Sequence, residues 1–274
     1  MRRENGPPEG EYVDANGVRL HFQVFGEGED VVFLHGSGPG NSAWANFRFN
    51  YQALVDAGYR VWLLDMIGFG YSDKPTDKGD YTLDLFCDTV AAAMSAWGVG
   101  SAHFIGNSLG GGVAIQLALR DPKIAKKLVL MGPGCLEPQA DYFSMPGIAK
   151  MMAAMGAGVT ADNLKDVLLS FVFDPKHITD ELVAMRWAIA ESQPKEVLTT
   201  MKTPALGEQM SALTCPILTF WGADDAFMPP QGKETCIRAN AHSRLVEINA
   251  CGHWVMIEQA RLFNALTIDF LAHG

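Results

Sequence analysis

A serine hydroxyl is a weak nucleophile until a base takes its proton, so a catalytic serine needs a histidine and an acid to orient it. Ser108 lies in FIGNSLGGGVAIQLAL (104–119), where an apolar run ends at Gly106-Asn107 and an amphipathic helical run starts at Leu109. Gly106-Asn107-Ser108-Leu109-Gly110 is G-x-S-x-G with a strand before it and a helix after it, the setting that the motif requires. The serine must stand on a sharp strand-to-helix turn, and side chains two positions before and after it would crowd neighbouring backbone. The helix start adds positive potential beside the hydroxyl. Downstream, FWGADDAFMPP (220–230) follows a strand and supplies Asp225, and NACGHWVMIEQ (249–259) supplies His253 before the last helix. Asp224 is the alternative acid. Asp225 is preferred because it falls in G-x-x-D-x-x-x-P with Gly222 and Pro229. His21, His103, His177, His242 and His273 have no comparable setting and read as structural or solvated.

A second stretch, VVFLHGSGPGNSAW (31–44), also aims backbone N–H groups at an anion. Residues 38–43 fit G-x-G-x-x-G/A, and Asp65 follows the next strand roughly where a ribose-binding acid would stand. Three points oppose a dinucleotide site. Pro39 has no N–H to offer, a hairpin precedes the first strand–helix unit, and the settings of Ser108, Asp225 and His253 are left unexplained. The better reading is a loop that presents N–H groups to a transient oxyanion beside Ser108.

Composition narrows the partners. With 21 basic and 31 acidic residues the net charge is −10, which disfavours nucleic acid and anionic membrane. Five dispersed cysteines (Cys87, Cys135, Cys215, Cys236, Cys251) without a C-x-x-C pair read as reduced thiols of a cytoplasmic protein, not as a disulfide framework or zinc site. MRRENGPPEGEYV has two arginines but no apolar stretch after them, so no signal peptide is expected. No apolar run approaches the ~18 residues of a membrane span.

The elements that must position these residues follow from periodicity. Asn16-Gly17, between Val13-Asp14 and Val18–Phe25, predicts a hairpin. Apolar runs at 31–35, 59–65, 101–107, 126–132, 215–222 and 243–250 alternate with helical patterns at 43–57, 82–97, 109–120, 230–240 and 254–272. Such alternation predicts a parallel sheet covered on both faces, with the hairpin as antiparallel strands at one edge. From Cys135 to Leu206 no strand is legible, only helical periodicity interrupted by prolines and rich in methionine. A segment of ~70 residues is too long for a loop. It reads as a helical cap over 135–206, between core segments 1–134 and 207–274, with most of its methionines (Met145, Met151, Met152, Met155, Met185, Met201) packing cap to core.

At this point the chain resembles the α/β-hydrolase superfamily over essentially its full length. More narrowly it resembles the meta-cleavage product hydrolases, which cleave a C–C bond in vinylogous 1,5-diketones from aromatic ring degradation. The narrower resemblance rests on HGSGPG (35–40), WANF (44–47), DAGYRVWLLDMIGFGYSDKP (56–75), KLVLMGPG (127–134), MRW (185–187) and Gly252-His253-Trp254. It implies an α/β fold with a mostly parallel eight-stranded sheet, helices on both sides and an inserted helical cap. It further implies Ser108, Asp225 and His253 as triad, and the N–H groups of Ser37 and Leu109 as oxyanion hole. Gly38, Asn46, Asn107, Arg186 and Trp254 would bind the dienolate and carboxylate end of the substrate. Ser37 stands where several relatives have glycine, and only its N–H is needed. The implied substrate is a small ring-fission carboxylate with an aryl or alkyl 6-substituent, hydrolysed without metal or cofactor by a cytoplasmic homo-oligomer, dimer or larger.

Physical chemistry bears on several of these roles independently. A carboxylate substrate needs a fixed cation, and Arg186, within the apolar helical run ELVAMRWAIA (181–190), can offer a bidentate fork. The alternatives are a surface position or pairing with Asp180 or Glu181. Asn46 and Asn107 can donate to an enolate without ionising, and Trp254 is either a substrate contact or a core aromatic. The distal substituent is expected against the apolar cap near Met145, Phe171 or Val172. The triad alone is equally compatible with an ester or lactone hydrolase, or with a cofactor-free haloperoxidase-like enzyme. A serine at the elbow argues against a haloalkane dehalogenase, which needs aspartate there.

Overall fold

The computed structural model describes residues 9–77 and 79–274. The first eight residues, where most of the missing-leader reading falls, lie outside them. Eight strands form one sheet: β1 (Glu11–Asp14), β2 (Arg19–Phe25), β3 (Glu29–Leu34), β4 (Tyr59–Leu64), β5 (Ala102–Asn107), β6 (Ala125–Met131), β7 (Ile217–Gly222) and β8 (Ser243–Ile248). Their order is β1-β2-β4-β3-β5-β6-β7-β8, with the β1–β2 and β2–β4 pairings antiparallel and the other five parallel. The hairpin between β1 and β2 turns at Asn16 (φ 59°) and Gly17 (φ 76°), two residues tolerant of positive φ.

The central strands are buried on both faces, and their alternation divides the core in two. Val32, Leu34, Phe104 and Leu130 point into one apolar layer, and Val31, Phe33, Ile105 and Val129 into the other. Helices cover both. They are α1 (Ala43–Phe47), α2 (Tyr51–Asp56), α3 (Leu83–Ala96), α4 (Leu109–Arg120), α5 (Gln139–Phe143), α6 (Pro146–Ala157), α7 (Ala161–Leu169), α8 (Asp180–Ala190), α9 (Glu196–Thr199), α10 (Gly232–Ile237), α11 (Val255–Glu258) and α12 (Ala260–His273). Side-chain oxygens of Ser42, Thr82, Thr160 and Thr179 cap α1, α3, α7 and α8 by accepting otherwise unpaired N–H groups.

Two long helical patterns are interrupted. The 43–57 pattern breaks into α1 and α2 around Asn50, whose side chain donates to Met256 O and Asn264 Oδ1, both at 2.9 Å. The 254–272 pattern breaks at Gln259, which leaves helical geometry (φ −122°, ψ 37°). Between β6 and β7 lie α5 to α9 and two 3₁₀ turns, and no strand among the described residues. No helix of the described residues is long and apolar enough to cross a membrane.

The strand order reverses at β3, and there the site is assembled. β3 pairs with β4 on one side and β5 on the other, with Leu34 opposite Gly106. Because β3, β5, β6, β7 and β8 run parallel, the loops after them emerge at one edge of the sheet. Those loops carry Ser37, Ser108, Gly132, Asp225 and His253.

Candidate active site

Ser108 sits at φ 52°, ψ −118°, a conformation that L-residues rarely adopt. Backbone hydrogen bonds hold it there. Its N–H donates to Met131 O at 3.0 Å, and its carbonyl accepts from Gly112 N (3.1 Å) and Gly134 N (2.8 Å). The flanking glycines are required by close approach, as expected. A Cβ at Gly106 would lie 2.6 Å from Gly110 O, and one at Gly110 would lie 2.0 Å from Leu34 O. Leu109 is the first residue of α4, so its N–H has no partner within the helix.

Asp225 and His253 meet as the sequence suggests. Asp225 Oδ2 lies 2.7 Å from His253 Nδ1, with side-chain exposures of 2% and 1%. Asp225 Oδ1 accepts from the N–H groups of Phe227 (2.8 Å) and Met228 (3.1 Å), which fixes the carboxylate. Asp224 is exposed and turned away. A carboxylate can only accept, so Nδ1 carries a proton and Nε2 is left basic. The end of β6 links this pair to the serine: Met131 O holds Ser108 N–H, while the next residue, Gly132, lies against both Asp225 and His253.

The HGSGPG loop is held from both sides. His35 is fully buried. Its Nδ1 lies 2.7 Å from Gly36 O and its Nε2 accepts from Met66 N at 3.0 Å, so the ring is neutral, and burial pushes its pKa down. Asn41 Nδ2 donates to Gly36 O at 2.6 Å. From the segment between β6 and β7, Gln193 accepts from Gly40 N (2.8 Å) and donates to Gly68 O (3.0 Å). Nothing in the sequence pointed to Gln193. The dinucleotide reading fails on geometry: a Cβ at Gly40 would stand 1.9 Å from Arg186 O, so α8 occupies the space a pyrophosphate would need. Asp65 is also committed, to Ala43 N, Tyr71 N and His21 Nδ1.

Arg186 is 1% exposed, which removes the surface alternative. Its Nε donates to Pro39 O (3.1 Å) and its Nη1 to Asn41 Oδ1 (2.5 Å), while Nη2 is buried without a partner. No carboxylate among the described residues pairs with it; Asp180 pairs with Lys165. Burial, then the nearby Arg48 cation, pushes its pKa down to about 9. Nη2 lies 3.3 Å from where a Gly38 Cβ would be, with Phe171 and Met151 on the other sides of that gap. The missing Cβ therefore leaves a methyl-sized gap against the free end of the guanidinium.

The asparagines form a relay. Met131 O accepts from Asn107 Nδ2 (3.1 Å), Asn107 Oδ1 accepts from Asn46 Nδ2 (3.0 Å), and Asn46 Oδ1 is left buried without a partner. Asn107 thus orients Asn46. Trp254 is 2% exposed and stacks on Phe171 at 4.5 Å, and its ring centroid lies 5.4 Å from the Arg186 guanidinium carbon. It is a core aromatic that also faces the cation.

A cavity of about 800 Å³, counting its open mouth, reaches Ser108, Leu109 and Ser37. Its far walls come from the segment between β6 and β7: Tyr142, Phe143, Ile148, Met151, Met152, Leu198 and Met201, joined by Met228. Met145, Phe171 and Val172 are not in these walls. Phe171 instead stacks between Phe227 (3.9 Å) and Trp254, behind His253. Of the six methionines singled out in this segment, Met151, Met152 and Met201 line the cavity.

Comparison with known proteins agrees with this geometry. The model of the alpha/beta hydrolase fold family matches residues 30–260. The chain is 38% identical over 267 residues to a 2-hydroxy-6-oxononadienedioate/2-hydroxy-6-oxononatrienedioate hydrolase of Dechloromonas aromatica (strain RCB), covering 93% of this chain and 91% of that one. It is 37% identical over 267 residues to a 2-hydroxy-6-oxo-6-phenylhexa-2,4-dienoate hydrolase of Burkholderia cepacia, covering 93% and 92%. A mutant of the meta-cleavage product hydrolase of Pseudomonas fluorescens IP01, complexed with acetates, superposes with a TM-score of 0.86 at 30% identity, covering 96% of this chain and 97% of that one. With its eight-stranded sheet and serine elbow, the chain belongs to the α/β-hydrolase fold family and, within it, to the meta-cleavage product C–C bond hydrolases.

Proposed function

We propose that this chain hydrolyses the C–C bond beside the 6-ketone of a 2-hydroxy-6-oxo-dienoate, giving a carboxylic acid and a 2-hydroxydienoate. The observation that carries this reading is Arg186: a buried guanidinium with one end free, no acidic partner among the described residues, and the side-chain-free Gly38 against that end. An ester or lactone hydrolase needs the serine, acid and histidine, but no buried cation for a remote carboxylate.

In this reading the substrate carboxylate meets Arg186 Nη2, and the 2-hydroxyl lies toward Asn46, which Asn107 orients. The dienol loses its hydroxyl proton and gains one at C5, which gives the ketone. Ser108 Oγ adds to C6 while His253 Nε2 takes its proton, with Asp225 holding the imidazole in the required tautomer. The N–H groups of Ser37 and Leu109 stabilise the oxyanion, each contributing about 3 kcal/mol in the transition state. The C5–C6 bond breaks and its electron pair passes into the dienolate, which takes the proton held on His253 to give the 2-hydroxydienoate; the imidazole so regenerated deprotonates the water that releases the acid from Ser108.

Residues 135–206 act as a cap over a core formed by 1–134 and 207–274. The five free, buried cysteines support a reducing, cytoplasmic location. The family resemblance supports a homo-oligomer, which sedimentation would read. The test of the activity compares a coloured ring-fission product with a nitrophenyl ester. Preference for the former by orders of magnitude is expected, and the reverse preference refutes the reading.

A further inference from the structure

We propose that this site takes ring-fission products whose 6-substituent is uncharged and apolar, and rejects the carboxyalkyl dioates named for the Dechloromonas relative. This rests on the C–C hydrolase reading of the same site. The scissile carbonyl must lie at Ser108, and the carboxylate end points to Arg186, behind Gly38. The group on the other side of the carbonyl therefore enters the cavity that opens from Ser108, Leu109 and Ser37.

Among the described residues lining that cavity, none carries a charge. Ile148, Met151, Met152, Leu198, Met201 and Met228 supply apolar wall, and several of the neutral polar groups between them already hold partners. Gln139 Nε2 donates to Met201 O (3.1 Å), and the Thr199 hydroxyl donates to Lys195 O (3.0 Å). Tyr142 turns its hydroxyl oxygen to the N–H groups of Leu136 (2.9 Å) and Glu137 (3.4 Å). Thr203 pairs with the Cys135 thiol, which burial keeps protonated, its pKa pushed up to about 12.

The neighbouring cations do not reach in. Lys150 is exposed on the outer side of α6, Lys202 pairs with Asp80, and Lys195 lines a separate hollow beyond Leu198. A second carboxylate would lose its water here and meet no cation among the described lining residues, which disfavours it. At the other end of the substrate, by contrast, the proposed carboxylate partner is the free Nη2 of the Arg186 guanidinium. Methionine walls, unbranched and polarizable, adapt to alkyl and aryl groups alike.

The experiment measures kcat/KM of the purified protein for three dienoates that differ only at C6: phenyl, isopropyl and 2-carboxyethyl. The two apolar substrates are expected to exceed the carboxyethyl one by on the order of 100-fold. Carboxyethyl turnover within tenfold of the others, or above them, overturns the specificity while leaving the C–C reading intact. Failure to turn over any of the three overturns both. A folded Met152→Arg variant supplies the missing cation and is expected to shift the carboxyethyl-to-phenyl ratio upward by tenfold or more; an unchanged ratio counts against the proposal.

Discussion

Replacing Arg186 with methionine separates binding from folding. Methionine has a similar reach but no charge. In the wild-type protein the guanidinium is buried and its pKa is pushed down from the ordinary arginine range to about 9, which corresponds to a penalty of roughly 5 kcal/mol for holding the charge. Against this stand two charge-assisted hydrogen bonds, to Pro39 O and Asn41 Oδ1, at roughly 1.5–3 kcal/mol each. The two sides nearly cancel, so Arg186→Met should change unfolding free energy by less than about 2 kcal/mol, where breaking a buried ion pair costs about 3–5. Activity should behave otherwise. Losing a buried charge partner of the substrate costs about 3 kcal/mol, or roughly 100-fold in kcat/KM. Urea unfolding followed by circular dichroism reads the first quantity, and decay of the dienolate colour the second. A loss of activity below tenfold, or a destabilisation beyond about 3 kcal/mol, refutes the idea of a cation reserved for substrate.

Three further outcomes follow from particular geometries. Ser108→Gly and Ser108→Ala should both lose at least ~10³ in kcat, but the glycine variant should be about 1 kcal/mol more stable than the alanine one, because only glycine relaxes at φ 52°; equal melts contradict strain at the elbow. Asp225→Asn should lower kcat by about 10⁴ with the fold kept, since the amide holds the wrong imidazole tautomer; a fall under tenfold excludes Asp225 as the orienting acid. Asp65 is buried, and desolvation, the largest single influence on it, would raise its pKa, yet His21, His35 and the Tyr71 N–H together hold it below the ordinary carboxylate value of 3.8. Its stabilisation is therefore complete above pH 3.8 and is lost as pH falls through the lower folded value. Asp65→Asn should cost about 3 kcal/mol near neutral pH, with the gap to wild type closing in acid below about pH 4; a gap constant down to pH 3 refutes this sign.

What was legible in the sequence was what neighbours in sequence decide. Apolar runs placed six strands to within a few residues, and Gly106, Ser108 and Gly110 declared the elbow through a local steric rule. Asp225 and His253 were readable because each occupies the first loop after a strand. Less legible were the breaks at Asn50 and Gln259; Asn50 is tied to residues more than 200 positions away. The cavity wall was misplaced because it depends on which face of α6 turns inward. Ile148, Met151 and Met152 share that face, whereas Met145 precedes the helix. Gln193 and the partners of Arg186 carried no pattern, since their contacts span about 150 residues of chain.

The hydrogen bonds from Gln193 and Arg186 to the loop at 39–41 have a consequence at a distance. The stretch from α8 to Gln193 thereby braces the loop that bears the Ser37 N–H. A displacement of that stretch would break three bonds, at Pro39, Gly40 and Asn41, and loosen the loop behind Ser37. Substitutions far along the chain, at Arg186 or Gln193, can therefore reach the geometry beside Ser108 without touching it.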